Sequence, residues 1–389
     1  MTPAVRYLDY AATTPVAPEV ALRMSECLSA HGEFGNPSSA NHDFGIRAAG
    51  QVESARAQVA ACVGAEPAEV VWTSGATEAN NLAIFGIAHY YRGSGKHIVT
   101  ARTEHKSVLD CCRELERRGW QVTYLTPGPE GVLEPEQIAE ALLPQTVLVS
   151  VMHINNELGT IQDIAAIAAV CARSHQARLH VDAAQSVGKI RLDFASLGVD
   201  LLSLSAHKAY GPKGAGALVV CRRRAVQLAP LMHGGGQERS LRPGTIATHQ
   251  VVGMGAAFAL AHAESPGETE RLRALRERLW QGLGALGGVW RNGDPLRSVP
   301  HILNVSFEGV EGESLVADVG VRIAVSTGSA CTSAQREPSY VLRALGRDER
   351  LAESSLRFSL GRYSSSADVD AAIDAVTRSV KRLRGISGA

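Results

Sequence analysis

Thr146-Val-Leu-Val-Ser-Val-Met152 is an almost wholly apolar run, which is typical of a strand covered on both faces of a sheet. Between about residues 66 and 221, other short β-rich runs alternate with helical patterns. Alternating strands and helices predict an α/β fold with a largely parallel central sheet and helices on both faces. The predicted strands are Glu69–Thr73, His97–Ala101, Gln121–Leu125, Thr146–Met152, Arg178–Val181, Leu201–Leu204 and Ala215–Cys221.

The pattern changes after about residue 250 and indicates a second, smaller α+β domain. Before the sheet, residues 1–20 and the Gly-, Asn- and Ser-rich stretch 31–42 are expected to form arms and loops. The elements predicted in the smaller domain are the helices His249–Ala263 and Thr269–Leu286, the strands Ile302–Phe307 and Leu356–Leu360, and a closing helix Asp368–Leu383.

The composition excludes several classes of function. The 389 residues carry 39 Lys and Arg against 39 Asp and Glu, so the basic face of a nucleic-acid-binding protein is not expected. No run approaches the ~20 apolar residues that span a membrane, and the first ten residues lack the pattern of a secretory signal. The seven cysteines are scattered without C-x-x-C spacing, which argues against a disulfide framework or a zinc site. We therefore expect a cytoplasmic protein with neither a membrane nor a nucleic-acid partner.

Lys208 is the first candidate for chemistry, in the stretch Ser203-Leu-Ser-Ala-His-Lys-Ala-Tyr-Gly-Pro-Lys-Gly214. It follows a predicted strand and precedes a Gly/Pro turn, and ligands of open α/β sheets bind at such strand ends. A lysine in a desolvated pocket has a lowered pKa and forms a Schiff base with carbonyl compounds such as pyridoxal phosphate. Taken alone, Lys208 is better explained as an exposed loop lysine than as a Schiff-base lysine, so the assignment depends on the residues predicted near it.

Two further strand ends supply groups that such a cofactor needs. Asp182 closes the strand in Arg178-Leu-His-Val-Asp182, where a carboxylate can hold a pyridinium nitrogen protonated; a helix N-cap is the alternative. Ser-Gly before Ala76 and Thr77 opens a helix whose first N–H groups can bind phosphate. The chain lacks G-x-x-x-x-G-K-[ST] and a convincing G-x-G-x-x-G after a strand, which disfavours a nucleotide site.

Histidine and amide side chains follow two more strand ends. His105 is placed to stack on a cofactor ring and to move protons near neutral pH, with an ordinary loop histidine as the alternative. Asn155 and Asn156 offer amide donors after the run Thr146–Met152. These strand ends are expected to converge on one site.

Cys331 and Arg357 are the candidates in the smaller domain. Cys331 lies among small, flexible residues in Val325-Ser-Thr-Gly-Ser-Ala-Cys331, which favours a reactive thiol over a structural one. Arg357, on a short predicted strand, could hold a substrate carboxylate with two hydrogen bonds, although a lone arginine is more often a surface group.

Together these segments resemble the pyridoxal-phosphate cysteine desulfurases of the iron–sulfur cluster assembly type. The resemblance spans nearly the whole chain, in the family's order. It rests on the stretches YLDYAATTPV, FGNPSS, TSGATEANNLAI, TEHKSVLD, SVMHINNELG, HVDAAQSVGK, SAHKAYGPKG, MHGGGQERSLRPGT, NVSF, STGSACTSA, EPSYVLRALG and SSLRFSLGR.

The resemblance implies a fold type I pyridoxal-phosphate transferase that forms a homodimer. Its large domain, residues 15–255, would contain a seven-stranded, mainly parallel sheet, and residues 1–14 and 256–389 would form the small domain. Lys208 would bind the cofactor as a Schiff base, Asp182 would pair with its ring nitrogen, and His105 would stack on its ring. The other implied ligands are Gln185 for the phenolic oxygen; Ala76, Thr77, Ser205, His207 and the partner subunit's Thr245 for the phosphate; and Asn36, Asn156 and Arg357 for the cofactor or the substrate carboxylate.

The same resemblance implies the reaction. Lys208 would remove the Cα proton of L-cysteine, His105 would help to set the protonation of its thiol, and Cys331 would take the sulfur as a persulfide and leave L-alanine. The sulfur would pass to an acceptor protein for iron–sulfur cluster assembly or for another thio-cofactor or tRNA-thiolation pathway. No resident metal is implied, and Cys331 is the one candidate for a transient iron–sulfur ligand. The chain stops at Ala389 without the C-terminal extension of cluster-assembly relatives, so weak binding to their scaffold is expected.

Two other interpretations stay open on the sequence alone. One is another pyridoxal-phosphate enzyme of the same fold, an aminotransferase or a selenocysteine lyase, in which Cys331 matters less. The other is a sulfur-carrier or docking platform with a vestigial cofactor site, against which the intact set of Lys208, Asp182 and His105 argues.

Overall fold

The computed structural model describes residues 5–174, 176–327 and 338–385. Its strands are β1 (Arg6–Tyr7), β2 (Val70–Thr73), β3 (His97–Ala101), β4 (Gln121–Leu125), β5 (Thr146–Met152), β6 (Arg178–Asp182), β7 (Leu201–Ser205), β8 (Gly216–Val220), β9 (Val289–Asn292), β10 (Ile302–Phe307), β11 (Ile323–Ala324) and β12 (Ser355–Ser359). Its helices are α1 (Pro18–Ser25), α2 (Asp43–Val63), α3 (Ala76–Tyr90), α4 (Lys106–Arg117), α5 (Pro135–Ala141), α6 (Ile164–Cys171), α7 (Phe194–Leu197), α8 (Thr248–Gly284), α9 (Gly312–Gly320), α10 (Tyr340–Ala344), α11 (Glu349–Glu353) and α12 (Ser366–Leu383).

The large sheet has seven strands within the described residues, in the order β2-β8-β7-β6-β5-β3-β4. β8 is antiparallel to both of its neighbours, and the other strands run parallel to one another. Every residue of β5 is buried, as its apolar sequence predicts. The predicted α/β class and mainly parallel sheet are confirmed, and each predicted strand of this sheet matches an observed strand to within one residue at either end.

A second hydrophobic core surrounds the three-stranded sheet β12-β10-β9. Phe307 and Phe358 of this sheet pack in one cluster with Leu8 and with residues of α8 and α12. Leu8 reaches this core because β1 pairs in parallel with β11. The arrangement supports a small domain built from both ends of the chain. The boundaries at residues 14 and 255 stay a prediction, since α8 runs through residue 255.

One helix, α8, replaces the two helices predicted at His249–Ala263 and Thr269–Leu286, so that prediction is wrong. A proline and a glycine at positions 266 and 267 are poor helix formers, but packing holds the helix on both sides of them. A Cβ on Gly253 would lie 2.6 Å from Met24 of α1, and one on Gly282 would lie 2.5 Å from Ile373 of α12. Residues 8–17 form the loop expected of this stretch, but the expectation for residues 1–20 missed β1 at Arg6–Tyr7 and the start of α1 at residue 18.

Candidate active site

Five strand ends open on one cavity at the edge of the large sheet. β2, β3, β5, β6 and β7 run in the same direction and all end there. The cavity has a volume of about 500 Å³. The predicted site residues that line it are Ala76, Thr77, His105, Asn156, Asp182, Gln185, Ser205, His207 and Lys208.

Lys208 lies in a tight turn directly after β7. Its Nζ donates a hydrogen bond to the carbonyl oxygen of Ala11 at 2.7 Å. Thr14 fixes the turn, because its hydroxyl donates to the His207 carbonyl at 3.0 Å and accepts from the Tyr210 N–H at 2.9 Å. Tyr210 has a φ of 62°, a conformation that a buried tyrosine adopts only when its surroundings enforce it. The backbone around the amine is therefore held from the N-terminal segment.

Asp182 is the last residue of β6 and is buried. Its Oδ1 accepts from the Ala184 N–H at 3.0 Å, and its Oδ2 accepts from Asn80 Nδ2 at 2.8 Å. Gln185 follows at the cavity wall and donates to the same Ala11 carbonyl that Lys208 contacts, at 3.0 Å. A carboxylate in this place can pair with a protonated ring nitrogen.

The N-terminus of α3 forms an anion cradle. The first N–H groups of a helix have no partner inside it, and the helix dipole favours a negative charge there. Gly75 precedes α3 with a φ of 152°, and a Cβ built on it would meet no atom within 4 Å, so the space beside the first turn is open. On the other side, a Cβ on Gly216 would lie 2.5 Å from the Gly75 Cα, so this turn packs directly against β8.

Polar side chains from other elements line the same cradle. Ser205 ends β7, and His207 Nδ1 lies 3.1 Å from the Thr13 hydroxyl. Burial, with the positive charges of nearby lysines, lowers the pKa of His207 to about 4, so the ring is neutral near pH 7. Glu78 would repel an anion, but its carboxylate accepts a hydrogen bond from Arg242 Nε at 2.8 Å.

These features match the three reactive or charged groups of pyridoxal phosphate. The Lys208 amine suits its aldehyde, the Asp182 carboxylate suits its ring nitrogen, and the open helix N-terminus suits its phosphate. A cavity of about 500 Å³ is also of the size that cofactor sites have. The described residues therefore fit this cofactor.

His105 is the N-cap of α4 and lines the cavity. Its Nδ1 accepts a hydrogen bond from the Ser107 N–H at 3.1 Å, and the Ser107 hydroxyl lies 2.8 Å from the same nitrogen. Burial is the main cause that lowers the pKa of His105, and the Asp182 carboxylate opposes it. The ring is therefore held at the cavity wall by its own helix.

Arg357 lies on β12 with its side chain buried. Nη2 donates to Asp9 Oδ1 at 2.7 Å, and Nη1 donates to the carbonyl oxygen of Asn156 at 2.9 Å. The other oxygen of Asp9 accepts from the Ser326 hydroxyl at 2.8 Å. Arg357 thus meets the cavity wall at Asn156, and Asp9 ties it to the segment that precedes Cys331.

Besides Arg357, which reaches the cavity wall only through Asn156, three predicted residues are not among those that line this cavity. Thr245 and Asn36 are exposed, and Asn36 Oδ1 accepts from the Ser38 N–H at 2.9 Å. Cys331 lies outside the described residues. The implied phosphate contact of Thr245 from a partner subunit stays a prediction.

Sequence reasoning missed Asn80, Ser107 and Asp9, which contact predicted site residues. Asn80 lies one helical turn after Ala76 and is fully buried on α3. A polar residue on the buried face of an apolar helix was the available signal for Asn80. Asp9 gave no comparable signal, because its partner Arg357 is 348 positions away.

The described cysteines are buried or half-buried free thiols. Burial raises the pKa of Cys62 to about 11 and of Cys111 and Cys171 to about 12. It raises the pKa of Cys112 further. A thiol with such a pKa is protonated near neutral pH and is a poor nucleophile.

Two kinds of feature are absent from the described part of the chain. No helix there has both the length and the hydrophobicity to cross a membrane. No group of three or more His, Cys, Asp or Glu side chains in those residues is arranged to hold a metal ion.

Residues 6–372 match the family model described as aminotransferase class-V. A cysteine desulfurase IscS from Aeromonas hydrophila subsp. hydrophila is 57% identical over 381 residues, which cover 98% of this chain and 94% of the relative. The cysteine desulfurase IscS of Pseudomonas aeruginosa strain UCBPP-PA14 is 56% identical with the same coverage.

Solved structures of related proteins have the same fold as this chain. A NifS-like protein superposes with a TM-score of 0.91 at 34% identity, covering 98% of this chain and 100% of its own. A structure described as SspA in complex with cysteine has a TM-score of 0.81 at 40% identity, with 92% of this chain and 100% of its own covered. The chain therefore belongs to the class-V aminotransferase family, the pyridoxal-phosphate enzymes of fold type I, as a cysteine desulfurase of the IscS type.

Proposed function

We propose that this protein removes the sulfur of L-cysteine, releases L-alanine and holds the sulfur as a persulfide on Cys331. The observation that carries the proposal is that the Lys208 amine, the Asp182 carboxylate and the α3 N-terminus face one cavity. The names of the relatives support the reaction, and the neighbour solved in complex with cysteine supports the substrate. The sulfur would then pass to acceptor proteins for iron–sulfur cluster assembly or for other thio-cofactor or tRNA-thiolation pathways.

The cavity residues would hold pyridoxal phosphate through contacts of distinct kinds. Ala76, Thr77, Ser205 and His207 would bind the phosphate, Asp182 the ring nitrogen, Gln185 the phenolic oxygen, and Lys208 the aldehyde carbon. Bound there, the cofactor supplies an electron sink for the charge that forms when the substrate Cα loses its proton.

Lys208 would carry the Cα proton on Nζ. The Ala11 carbonyl, which accepts from Nζ at 2.7 Å, keeps the amine at the cavity wall. Thr14 holds the backbone on both sides of the lysine, so the amine would return to the same place after each proton transfer.

Arg357 would orient the substrate through its carboxylate. Its Nε is buried and has no hydrogen-bond partner among the described residues. Its Nη2 donates to Asp9, and the Asp9 carboxylate neutralises the buried guanidinium when no substrate is present. Asn156 and Asn36 would complete this part of the site.

Cys331 would act as the sulfur nucleophile. Its thiolate attacks the substrate sulfur, so that an S–S bond forms as the C–S bond breaks. The electron pair of that bond stays with the carbon fragment, which takes up a proton and leaves as L-alanine. Burial raises the pKa of the Cys62, Cys111, Cys112 and Cys171 thiols, which supports the assignment of this step to Cys331.

The proposal includes a cytoplasmic homodimer. Each subunit would have a large domain of residues 15–255 and a small domain of residues 1–14 and 256–389. The exposed aromatic side chains of Phe34 and Phe44, whose ring centroids lie 5.3 Å apart, form an apolar patch that supports a partner subunit. The free cysteines support a reducing compartment.

The direct test compares two activities of the purified holoenzyme. We expect it to form L-alanine and sulfide from L-cysteine in the presence of a thiol reductant. Alanine formation that depends on pyruvate, with no sulfide released, would instead identify an aminotransferase.

A further inference from the structure

Asp182, Asn80, Ser107 and His105 form a chain of hydrogen bonds beside the cavity. Asn80 Nδ2 lies 2.8 Å from Asp182 Oδ2 and 2.9 Å from Ser107 Oγ. Ser107 Oγ in turn lies 2.8 Å from His105 Nδ1. Asn80 is fully buried. The direction of each hydrogen bond can be assigned by starting at Asp182.

The carboxylate of Asp182 fixes the orientation of the Asn80 amide. A carboxylate only accepts hydrogen bonds, and the flipped amide would bring two acceptor oxygens within 2.8 Å of each other. The orientation leaves Asn80 Oδ1 buried and, among the described residues, without a hydrogen-bond partner. Asn80 therefore gives one Nδ2 hydrogen to Asp182 and the other to the hydroxyl oxygen of Ser107.

The hydroxyl hydrogen of Ser107 is then directed to His105 Nδ1. The backbone N–H of Ser107 donates to the same ring nitrogen at 3.1 Å. A ring nitrogen that accepts two hydrogen bonds carries a lone pair and no proton. Because burial lowers the pKa of His105, the ring is neutral near pH 7. Its single proton therefore lies on Nε2.

We propose that Asn80 and Ser107 are positioning residues that hold His105 as the Nε2–H tautomer, so that the ring presents a hydrogen-bond donor to the cavity. The proposal deepens the proposed function and rests on it for the acceptor, which would be an atom of bound L-cysteine or of the cofactor. A proton already on Nε2 excludes the neutral ring as a base at that nitrogen. His105 then stabilises negative charge on the substrate by donating, and another group must remove the thiol proton.

The wild-type holoenzyme provides the first test. Histidine labelled with ¹⁵N on the ring is incorporated, and the resonances of His105 are identified by their loss in His105→Gln among the 13 histidines. We expect an unprotonated, hydrogen-bonded Nδ1 and a proton bonded to Nε2 at pH 7. A proton on Nδ1, or a charged ring, would overturn the proposal. The result does not depend on which substrate the enzyme uses.

Substitutions at Ser107 test the positioning role. Ser107→Ala removes the hydroxyl but keeps the backbone N–H, whereas Ser107→Thr keeps both donors. We expect kcat/KM for L-cysteine to fall about fivefold to tenfold in Ser107→Ala, the effect of one hydrogen bond, and to stay near the wild-type value in Ser107→Thr. The Nδ1 resonance should move toward a weaker hydrogen bond in Ser107→Ala alone. Equal kcat/KM and equal Nδ1 shifts in the two variants would overturn the role of the hydroxyl.

Asn80→Ala tests the link to Asp182 and has a matched control one residue away. The amide of Asn81 donates to the Thr77 carbonyl of its own helix at 2.9 Å. We expect a loss of kcat/KM of about tenfold in Asn80→Ala and less than about twofold in Asn81→Ala. Equal values in the two variants, both loaded with cofactor, would contradict the role of Asn80. If Asn80→Ala does not fold, the comparison of Ser107→Ala with Ser107→Thr tests the proposal.

Discussion

Replacing Glu238 by Gln would break a buried ion pair that fastens a loop to the edge of the large sheet. Its Oε1 and Oε2 accept from Arg56 Nη2 and Nη1, both at 2.8 Å, and Oε2 also accepts from the Trp72 N–H at 2.8 Å. The side chains of Glu238 and Arg56 are only 3% and 9% exposed. Glu238 and the next two residues all have positive φ values, a strained run that this anchor holds in place.

The magnitude follows from the burial of the pair. Removing one partner leaves the Arg56 charge buried with reduced compensation, which costs about 3–5 kcal/mol. An unfolding entropy of about 2.1 cal/mol/K per residue gives about 0.8 kcal/mol/K for 389 residues, so the unfolding midpoint should fall by about 4–6 °C. Glu53→Gln is the control, because Glu53 contacts the same guanidinium at 3.1 Å but is 63% exposed. Its loss should lower the midpoint by about 1 °C or less.

The assay is thermal unfolding of the holoenzymes, followed by circular dichroism under identical conditions. The double variant Arg56→Met/Glu238→Leu should recover most of the loss, because it removes the unpaired charge together with its partner. Equal midpoints for Glu238→Gln and Glu53→Gln would refute the reasoning.

Two further predictions concern the active site and its surroundings. Lys208→Ala should keep the wild-type circular dichroism but lose the visible absorbance of the lysine-bound cofactor and the turnover of L-cysteine; normal turnover with an unchanged spectrum would remove Lys208 from the mechanism. Burial raises the pKa of Glu157 to about 7, although the hydrogen bond from Ser339 lowers it. The protonated side chain therefore stabilises the fold fully below about pH 4.5, and this contribution is lost as pH rises through 7. Relative to Glu157→Gln, the free energy of unfolding of the wild type should fall by about 3 kcal/mol between about pH 4.5 and a pH above 7. Parallel pH profiles of thermal unfolding for the two proteins would contradict this.

The strands of the large sheet could be predicted because each is a short apolar run between turns. The helix α2 could not, because four of its eight buried residues are alanine or glycine and a fifth is Arg56, so its hydrophobic period is weak. α8 could not be predicted as one helix, because its continuity depends on packing against α1 and α12 and not on its local sequence.

Some residues of the candidate site could be predicted from the sequence and others could not. Lys208, Asp182 and His105 could be predicted because parallel strands bring their carboxyl ends together, and the residues that follow are local in the sequence. Asn80 and Asp9 could not, because their hydrogen bonds to Asp182 and Arg357 join segments 102 and 348 residues apart. Such contacts exist only once the chain has folded.

Sulfur transfer through Cys331 is the central claim, and mass spectrometry of the protein after incubation with L-cysteine tests it most directly. The wild type should gain one sulfur atom on the peptide that contains Cys331. Cys331→Ser should still bind L-cysteine, with a shift in the visible spectrum, but should form no persulfide and almost no L-alanine, because a hydroxyl does not replace the thiolate. A persulfide that maps to Cys111, Cys112 or another cysteine, or wild-type alanine formation by Cys331→Ser, would contradict the claim.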